Sequence, residues 1–319
     1  MAAMGGLRSG VTLVELMIAV ALGSVLCLGV ATLIIKSQSA YVRDEQTARL
    51  RENGSYALRL LSRELSMAGY FGTFLPSEIA TDLPQVSGCF RYFLPAASSL
   101  EHFDDLDRNG GSLTGTGIPA ECAQGGYYQA GSDSLLLRRT LDAPHTLWGR
   151  QFAPVEPSAL YLRADRSGVV LVQGQWEPGS SVGLWQYHPQ LLFVRRYSRR
   201  TGDGIPTLCR VRVSPTGLRL APVECLVEGV EMLQLQYGLD TDGDMRADRY
   251  VSVPSEAEEP QVMLARIFLL VRAVLPTAGY RNQNLYRVGA SVFQAPGDGF
   301  MRRLYSASVL MRNSDVFRG

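Results

Sequence analysis

From Leu16 to Ile35 the chain runs for twenty residues without a charge, LMIAVALGSVLCLGVATLII. At 1.5 Å per residue a helix of that length spans about 30 Å, the thickness of a bilayer's hydrocarbon core. Polar positions return between Ser37 and Ala68. There Ala57, Leu60, Leu61, Leu65 and Ala68 recur at steps of three and four, with Arg59, Arg63 and Glu64 opposite them. That spacing predicts the amphipathic continuation of the same helix. Gly54, after Asn53, is the expected weak point where the helix bends or melts, and Gly69 is its expected C-cap. Beyond Tyr70 the pattern becomes short β-like runs separated by Gly, Pro and Asp turns. The expected strands are 135–139, 159–163, 169–172, 191–197, 209–213, 230–237, 250–253, 263–274 and 305–312. In 263–274 the alternation of Ile267, Leu269 and Val271 favours strand over helix. Leu100 to Gly131, rich in Gly, Asp and Ser, reads as a long loop excursion. The fold class is therefore α+β: a long N-terminal helix, transmembrane then amphipathic, packed on a large β-rich head.

The apolar block is an anchor rather than a cleaved secretory signal. A secretory signal has an apolar region of about 7–15 residues ended by a small-x-small cleavage site, whereas this one is longer and continues into Lys36 and polar sequence. Arg8 ahead of the span, with few basic residues before Arg43, places the N-terminus on the cytoplasmic side. Glu15 interrupts this picture at the membrane-entering end. A carboxylate there costs several kcal/mol unless it is paired or held at the headgroup level.

The residues around it decide the matter. Ser9-Gly10-Val11-Thr12-Leu13-Val14-Glu15-Leu16-Met17 resembles the type IV prepilin signature, in which a short basic leader ends in Gly. The resemblance implies cleavage between Gly10 and Val11 by a cytoplasm-facing prepilin peptidase and N-methylation of Val11. It makes Glu15 the fifth residue of the mature chain, where it neutralises the N-terminal amine of a docking neighbour. Val11 departs from the Phe usual at that place. Arg51-Glu52-Asn53-Gly54, Leu61-Ser62-Arg63-Glu64-Leu65, Val227 to Gly238 and Arg302 to Asn313 are further similar to the PilW family of type IV minor pilins.

What this resemblance implies is a pilin-like architecture: leader 1–10, transmembrane half-helix 11–35, amphipathic half-helix 36–69 and periplasmic head 70–319. The expected function is that of a non-catalytic minor pilin in type IV pilus assembly, in a priming or tip complex. The alternative is a minor pseudopilin of a type II secretion system. Expected partners are other minor pilins, the tip adhesin, the major pilin, the prepilin peptidase and the inner-membrane assembly platform. The expected location is the inner membrane before assembly and the pilus, at its tip, afterwards.

Composition adds exclusions. Hydrophobic residues at 46% and charged residues at 19% exclude wholesale disorder. The net charge is +1, and taking Arg8 and Glu15 away with residues 1–35 leaves 30 basic and 29 acidic groups, so no nucleic-acid partner is expected. Arg195-Arg196 and Arg199-Arg200 flank Tyr197-Ser198, read as a solvated turn rather than a phosphate grip. The three His, at 102, 145 and 188, show no HExxH or His-x-His spacing, which argues against a histidine-based zinc site or triad. Gly131-Ser132-Asp133-Ser134 is not a nucleophile elbow.

Five cysteines remain. Cys27 lies in the span as a small apolar residue. Cys89, Cys122, Cys209 and Cys225 fall in the head, where a periplasmic location permits disulfides. Three pairings are open; Cys89–Cys122 and Cys209–Cys225 are favoured because each closes a local loop. Lastly, Asp240, Asp242, Asp244 and Asp248 stand at positions 1, 3, 5 and 9 of a loop, the alternation that supplies Ca²⁺ ligands in EF-hands. Met245 and Val251 occupy positions where that motif has Gly and Glu. The alternative is an Asp/Gly hairpin turn. Asp105, Asp107 and Asn109 form a poorer version without the later carboxylates.

Overall fold

The structure, a computed structural model, describes residues 10–313 apart from 11, 73, 75–77, 82, 84–87, 95–98, 106–127, 167, 175–176, 178–179, 216 and 256. The chain divides into two compact units, Met1–Ala48 and Arg49–Gly319. A single helix, α1, runs Leu13–Met67. Within the first unit its apolar residues are exposed from Leu13 to Ile35. The polar side chains of that stretch close on their own backbone: Ser24 Oγ donates to the Ala21 carbonyl at 2.8 Å and Thr32 Oγ1 to Gly29 at 2.7 Å. No free hydroxyl of these two faces the surroundings, as a lipid environment demands.

Among the described residues the second unit contains the end of α1, three larger sheets and a two-stranded one. One has six strands, ordered Ile79–Thr81, Gly168–Gln173, Leu160–Asp165, Gly183–Gln186, Thr146–Leu147 and Arg150–Gln151. A second has five, ordered Glu224–Glu228, Thr207–Arg212, Gln190–Arg195, Ser134–Leu137 and Leu100–Phe103. The third has four, ordered Arg249–Val251, Val230–Leu239, Val262–Arg272 and Arg302–Leu310. A hairpin of Leu285–Val288 and Ser291–Gln294 completes the described strands. The nine expected strands are all present. Leu100–Phe103 is a correction: the expected loop begins with a strand, registered antiparallel on Ser134–Leu137. Much of the remaining excursion lies outside the described residues.

The central strands explain why pairs of sheets need so little polar alternation. Leu135, Leu137, Leu192 and Val194 point into one apolar cluster, while Leu136, Leu191 and Phe193 point into another on the opposite face of the same sheet. A strand buried on both faces reads as a continuous apolar run. The first cluster is completed by Ala57, Leu61 and Leu65 of α1 and by Ala68 just after it, together with Leu233, Leu235, Ile267, Leu269 and Val309 of the four-stranded sheet.

Two expectations about α1 are corrected. The helix does not melt at Gly54 but runs unbroken through it to Met67. The glycine serves packing there, because the Tyr305 ring lies where a Cβ at Gly54 would be. Tyr305 Oη then donates to the Leu50 carbonyl at 3.1 Å. Glu64 is not on the solvent face but buried; its carboxylate accepts from Arg139 at 2.8 and 3.0 Å and from the Gln190 amide. Burying that charge is tolerable because it is both paired and hydrogen-bonded. Gly69, at φ 75°, ends the helix as expected.

Substituting Gly54 with Ala should invert the usual propensity effect. Helix propensity alone predicts a gain of about 1 kcal/mol, whereas overpacking against Tyr305 predicts a net loss of roughly 1–3 kcal/mol, read as a lower thermal midpoint of the full chain in detergent. A second measurement concerns pH. Burial, then the charges of Arg139, Arg212 and Arg210, hold the His188 imidazole down at about 3 against an ordinary 6.5. Below 6.5 the unfolded chain binds a proton that the folded chain refuses, so this contribution is full above that pH and is lost as pH falls toward 3. Thermal midpoints recorded from pH 7.5 to 4.5 should decline, and His188→Gln should flatten the decline.

Candidate functional site

The N-terminal end of α1 carries the chemistry that the sequence picks out. Leu13 opens the helix and Thr12 is its N-cap, so Glu15 is the third helical residue. Glu15 Oε2 accepts from the Thr12 backbone N–H and from the Thr12 hydroxyl, each at 3.0 Å, while the Glu15 N–H donates to Thr12 Oγ1 at 3.3 Å. This reciprocal arrangement is a capping box, which satisfies two of the amide donors that a helix start leaves unpaired. Sequence reading treats Glu15 as a carboxylate waiting for an outside partner. In the chain by itself the carboxylate is already engaged, and the Thr12-x-x-Glu15 spacing is the signal that could have shown it. Its negative charge also sits at the positive end of the helix dipole. Gly10 is exposed, and Val11 lies outside the described residues.

The four head cysteines divide as far as they can be followed. Cys209 and Cys225 form a disulfide between the paired strands Thr207–Arg212 and Glu224–Glu228, 16 residues apart in sequence. Cys89 is also disulfide-bonded, and its expected partner Cys122 lies outside the described residues. Cys27 is a free, exposed thiol.

The acidic loop gathers only part of its expected set. Single carboxylate oxygens of Asp240, Asp242 and Asp248 lie within 4.8 Å of one another, and Asp244 stands apart from them. Each carboxylate is bound to the loop's own backbone. Asp240 accepts from the Gly243 and Met245 amides at 2.7 and 2.9 Å, Asp242 from Asp244 at 3.1 Å, Asp244 from Arg246 at 2.8 Å and Asp248 from Thr241 at 2.7 Å. Met245 takes φ 66°, two residues after the turn's Gly243 at φ 83°. The geometry is that of an Asp/Gly turn held by side-chain-to-amide bonds. Asp107 and Asn109 of the poorer loop lie outside the described residues. Around Tyr197, Arg195 donates to the Tyr197 carbonyl at 2.9 Å and stacks over its ring, and Asp203 accepts from the amides of Ser198, Arg199, Arg200 and Ile205.

Comparison with known proteins matches both ends of the chain. Residues 7–31 match the family model described as the prokaryotic N-terminal methylation motif, and residues 194–313 match that of the type IV pilus-assembly protein W. No curated protein matches. Among solved structures, a type IV-like pilin from Thermus thermophilus aligns at 15% identity over 83% of this chain and 98% of its own, with a TM-score of 0.37; that score carries no argument. The methylation motif and the apolar helix suit membrane anchoring and incorporation into a pilus.

The disulfide ties the outermost strand of the five-stranded sheet to its neighbour. Replacing Cys209 and Cys225 together with Ala should destabilise the chain by about 3 kcal/mol, the cost of freeing a loop of that length. Denaturant titration of the full chain in detergent, with and without reductant, measures it. A variant as stable as the oxidised parent would refute the assignment.

Proposed function

We propose that this chain, which joins an N-terminal methylation motif to a pilus-assembly protein W region, is a minor pilin of a type IV pilus, acting in the complex that primes assembly and sits at the tip. The observation that carries the reading is the Thr12–Glu15 capping box at the start of an uncharged span. A prepilin peptidase cuts between Gly10 and Val11 and the Val11 amine is methylated. The amine remains basic, so it is a cation at the edge of an apolar bundle. Glu15 then exchanges its own Thr12 amide for the amine of a neighbouring pilin. In a low-dielectric assembly that exchange replaces a neutral donor with a charged one and so sets the axial register.

In this reading the head is periplasmic and makes lateral contacts with other minor pilins, the major pilin and the tip adhesin. The chain leaves the inner membrane through the assembly platform. Its contribution is structural; binding and alignment are its work.

Glu15→Gln separates the two roles of the carboxylate. The amide oxygen of Gln can still cap Thr12, so membrane level and processing should hold, with mass spectrometry finding methylated Val11 as the first residue. Recovery in sheared pili should fall about tenfold or more. Deleting the gene should abolish surface pili and twitching while leaving exoprotein secretion intact; normal piliation with failed secretion would reject the reading in favour of a secretion filament.

A further inference from the structure

The joint between the five- and four-stranded sheets holds a second cluster that the pilin reading does not use. Strand Leu100–Phe103 pairs with Ser134–Leu137 so that Phe103 lies opposite Ser134 and His102 opposite Leu135. The residues just beyond that pairing, Asp104 and Asp133, therefore meet His102 at one end of the ribbon. One nitrogen of His102 and one oxygen each of Asp104 and Asp133 all lie within 4.8 Å of one another.

The imidazole is the unusual member. Its side chain is only 4% exposed, yet among the described residues neither ring nitrogen has a hydrogen-bond partner. Nε2 lies 3.0 Å from Asp133 Oδ2 without the alignment of a hydrogen bond. Beside it the Tyr237 hydroxyl is also buried without a partner among the described residues, its ring edge-on to His102 at 5.5 Å. Buried polar groups left unpaired in this way require an explanation.

Asp133 is fully buried and held from three sides. Its Oδ1 accepts from the Gln234 amide at 2.9 Å and the Asp105 N–H at 3.1 Å, and its Oδ2 accepts from the Leu235 N–H at 2.7 Å. A carboxylate offers about four lone-pair sites, so one on Oδ2 remains for His102 or for something both contact. Two ligands about 2.0–2.1 Å from one ion, at tetrahedral or octahedral angles, lie roughly 2.9–3.4 Å apart. The 3.0 Å separation with a misaligned N–H fits co-ligands better than it fits a hydrogen bond.

We propose that His102, Asp104 and Asp133 bind one divalent transition-metal ion of the Zn²⁺ class. Neutral imidazole with two carboxylates balances a dication, and an imidazole ligand selects against Ca²⁺ and Mg²⁺. Asp104 is exposed and gives the ion its way in. The hydrogen bonds on Asp133 are the outer-shell supports that metal-bound carboxylates have. The ion would fasten the end of strand Leu100–Phe103 to Asp133, whose own hydrogen bonds reach Gln234 and Leu235 of strand Val230–Leu239. This rests on the head alone and is independent of the pilus reading.

The test uses the untagged full chain in detergent, stripped with chelator and titrated with ZnCl₂, MnCl₂ or CaCl₂ by calorimetry and thermal shift. The expected result is saturable binding of about one Zn²⁺ per chain with a raised thermal midpoint and no matching response to Ca²⁺. Asp104→Asn, at an exposed position that folding should tolerate, should weaken Zn²⁺ binding at least tenfold, and His102→Gln should remove it. Asp242→Asn, in the separate acidic loop, should leave it unchanged. Absence of saturable Zn²⁺ binding, or equal affinity in the Asp104→Asn chain, overturns the proposal and leaves His102 and Asp133 as a plain ion pair. Loss of binding in Asp242→Asn alone would also overturn it, by moving the ion to the other loop.

Discussion

The head depends on a stripe of helix that it does not itself encode in its strands. Ala57, Leu61 and Leu65 of α1, with Ala68 just beyond its end, fill the cluster shared by the four- and five-stranded sheets. Without them, Leu233, Leu235, Ile267 and Leu269 would lose an apolar partner on the face they present to that cluster, and several kcal/mol would go with each large side chain uncovered. The helix must therefore stay helical through this region. That requirement explains why Gly54 remains in register and why Glu64, the one acid in the stripe's path, is matched by Arg139.

A second constraint is the edge of strand Val230–Leu239. It pairs with Val262–Arg272 on one side, but on the other only its last three residues pair, with Arg249–Val251. The amides of Leu233 and Leu235 would be left open. Ser132 and Asp133 cover them, Leu233 donating to Ser132 Oγ at 3.0 Å and Leu235 to Asp133 Oδ2 at 2.7 Å. Two polar residues in a Gly-Ser-Asp-Ser turn thus do for a sheet edge what another strand would otherwise do.

Local features were the legible ones. The span, the helical stripe, the C-cap at Gly69 and strands such as 263–274 follow from periodicity within a dozen residues, and the methylation motif from fewer. Leu100–Phe103 was not legible because its four residues carry no alternation; it is a strand only through Ser134–Leu137 beside it. Glu64 looked like a surface acid because its partner is 75 positions away. Gly54 looked like a helix breaker because the ring that needs the space belongs to Tyr305. His102, Asp104 and Asp133 escaped notice for the same reason, since nothing in the spacing of 102, 104 and 133 resembles a ligand motif. In the acidic loop the direction of each carboxylate is set by the amides nearest to it, which spacing alone does not show.

The last strand of the head also closes on its first element. Tyr305 bonds Leu50 across 255 positions, and Asn313 Nδ2 reaches the Ser66 and Ala68 carbonyls at 3.3 and 3.2 Å. Contacts this distant in sequence form late, because the loop entropy must be overcome before they contribute. A chain that emerges N-terminus first therefore has its helix made and its sheets half paired before the residues that clasp them exist. Closure of this head waits for strand Arg302–Leu310, and until that strand arrives the apolar stripe of α1 lacks part of its cover.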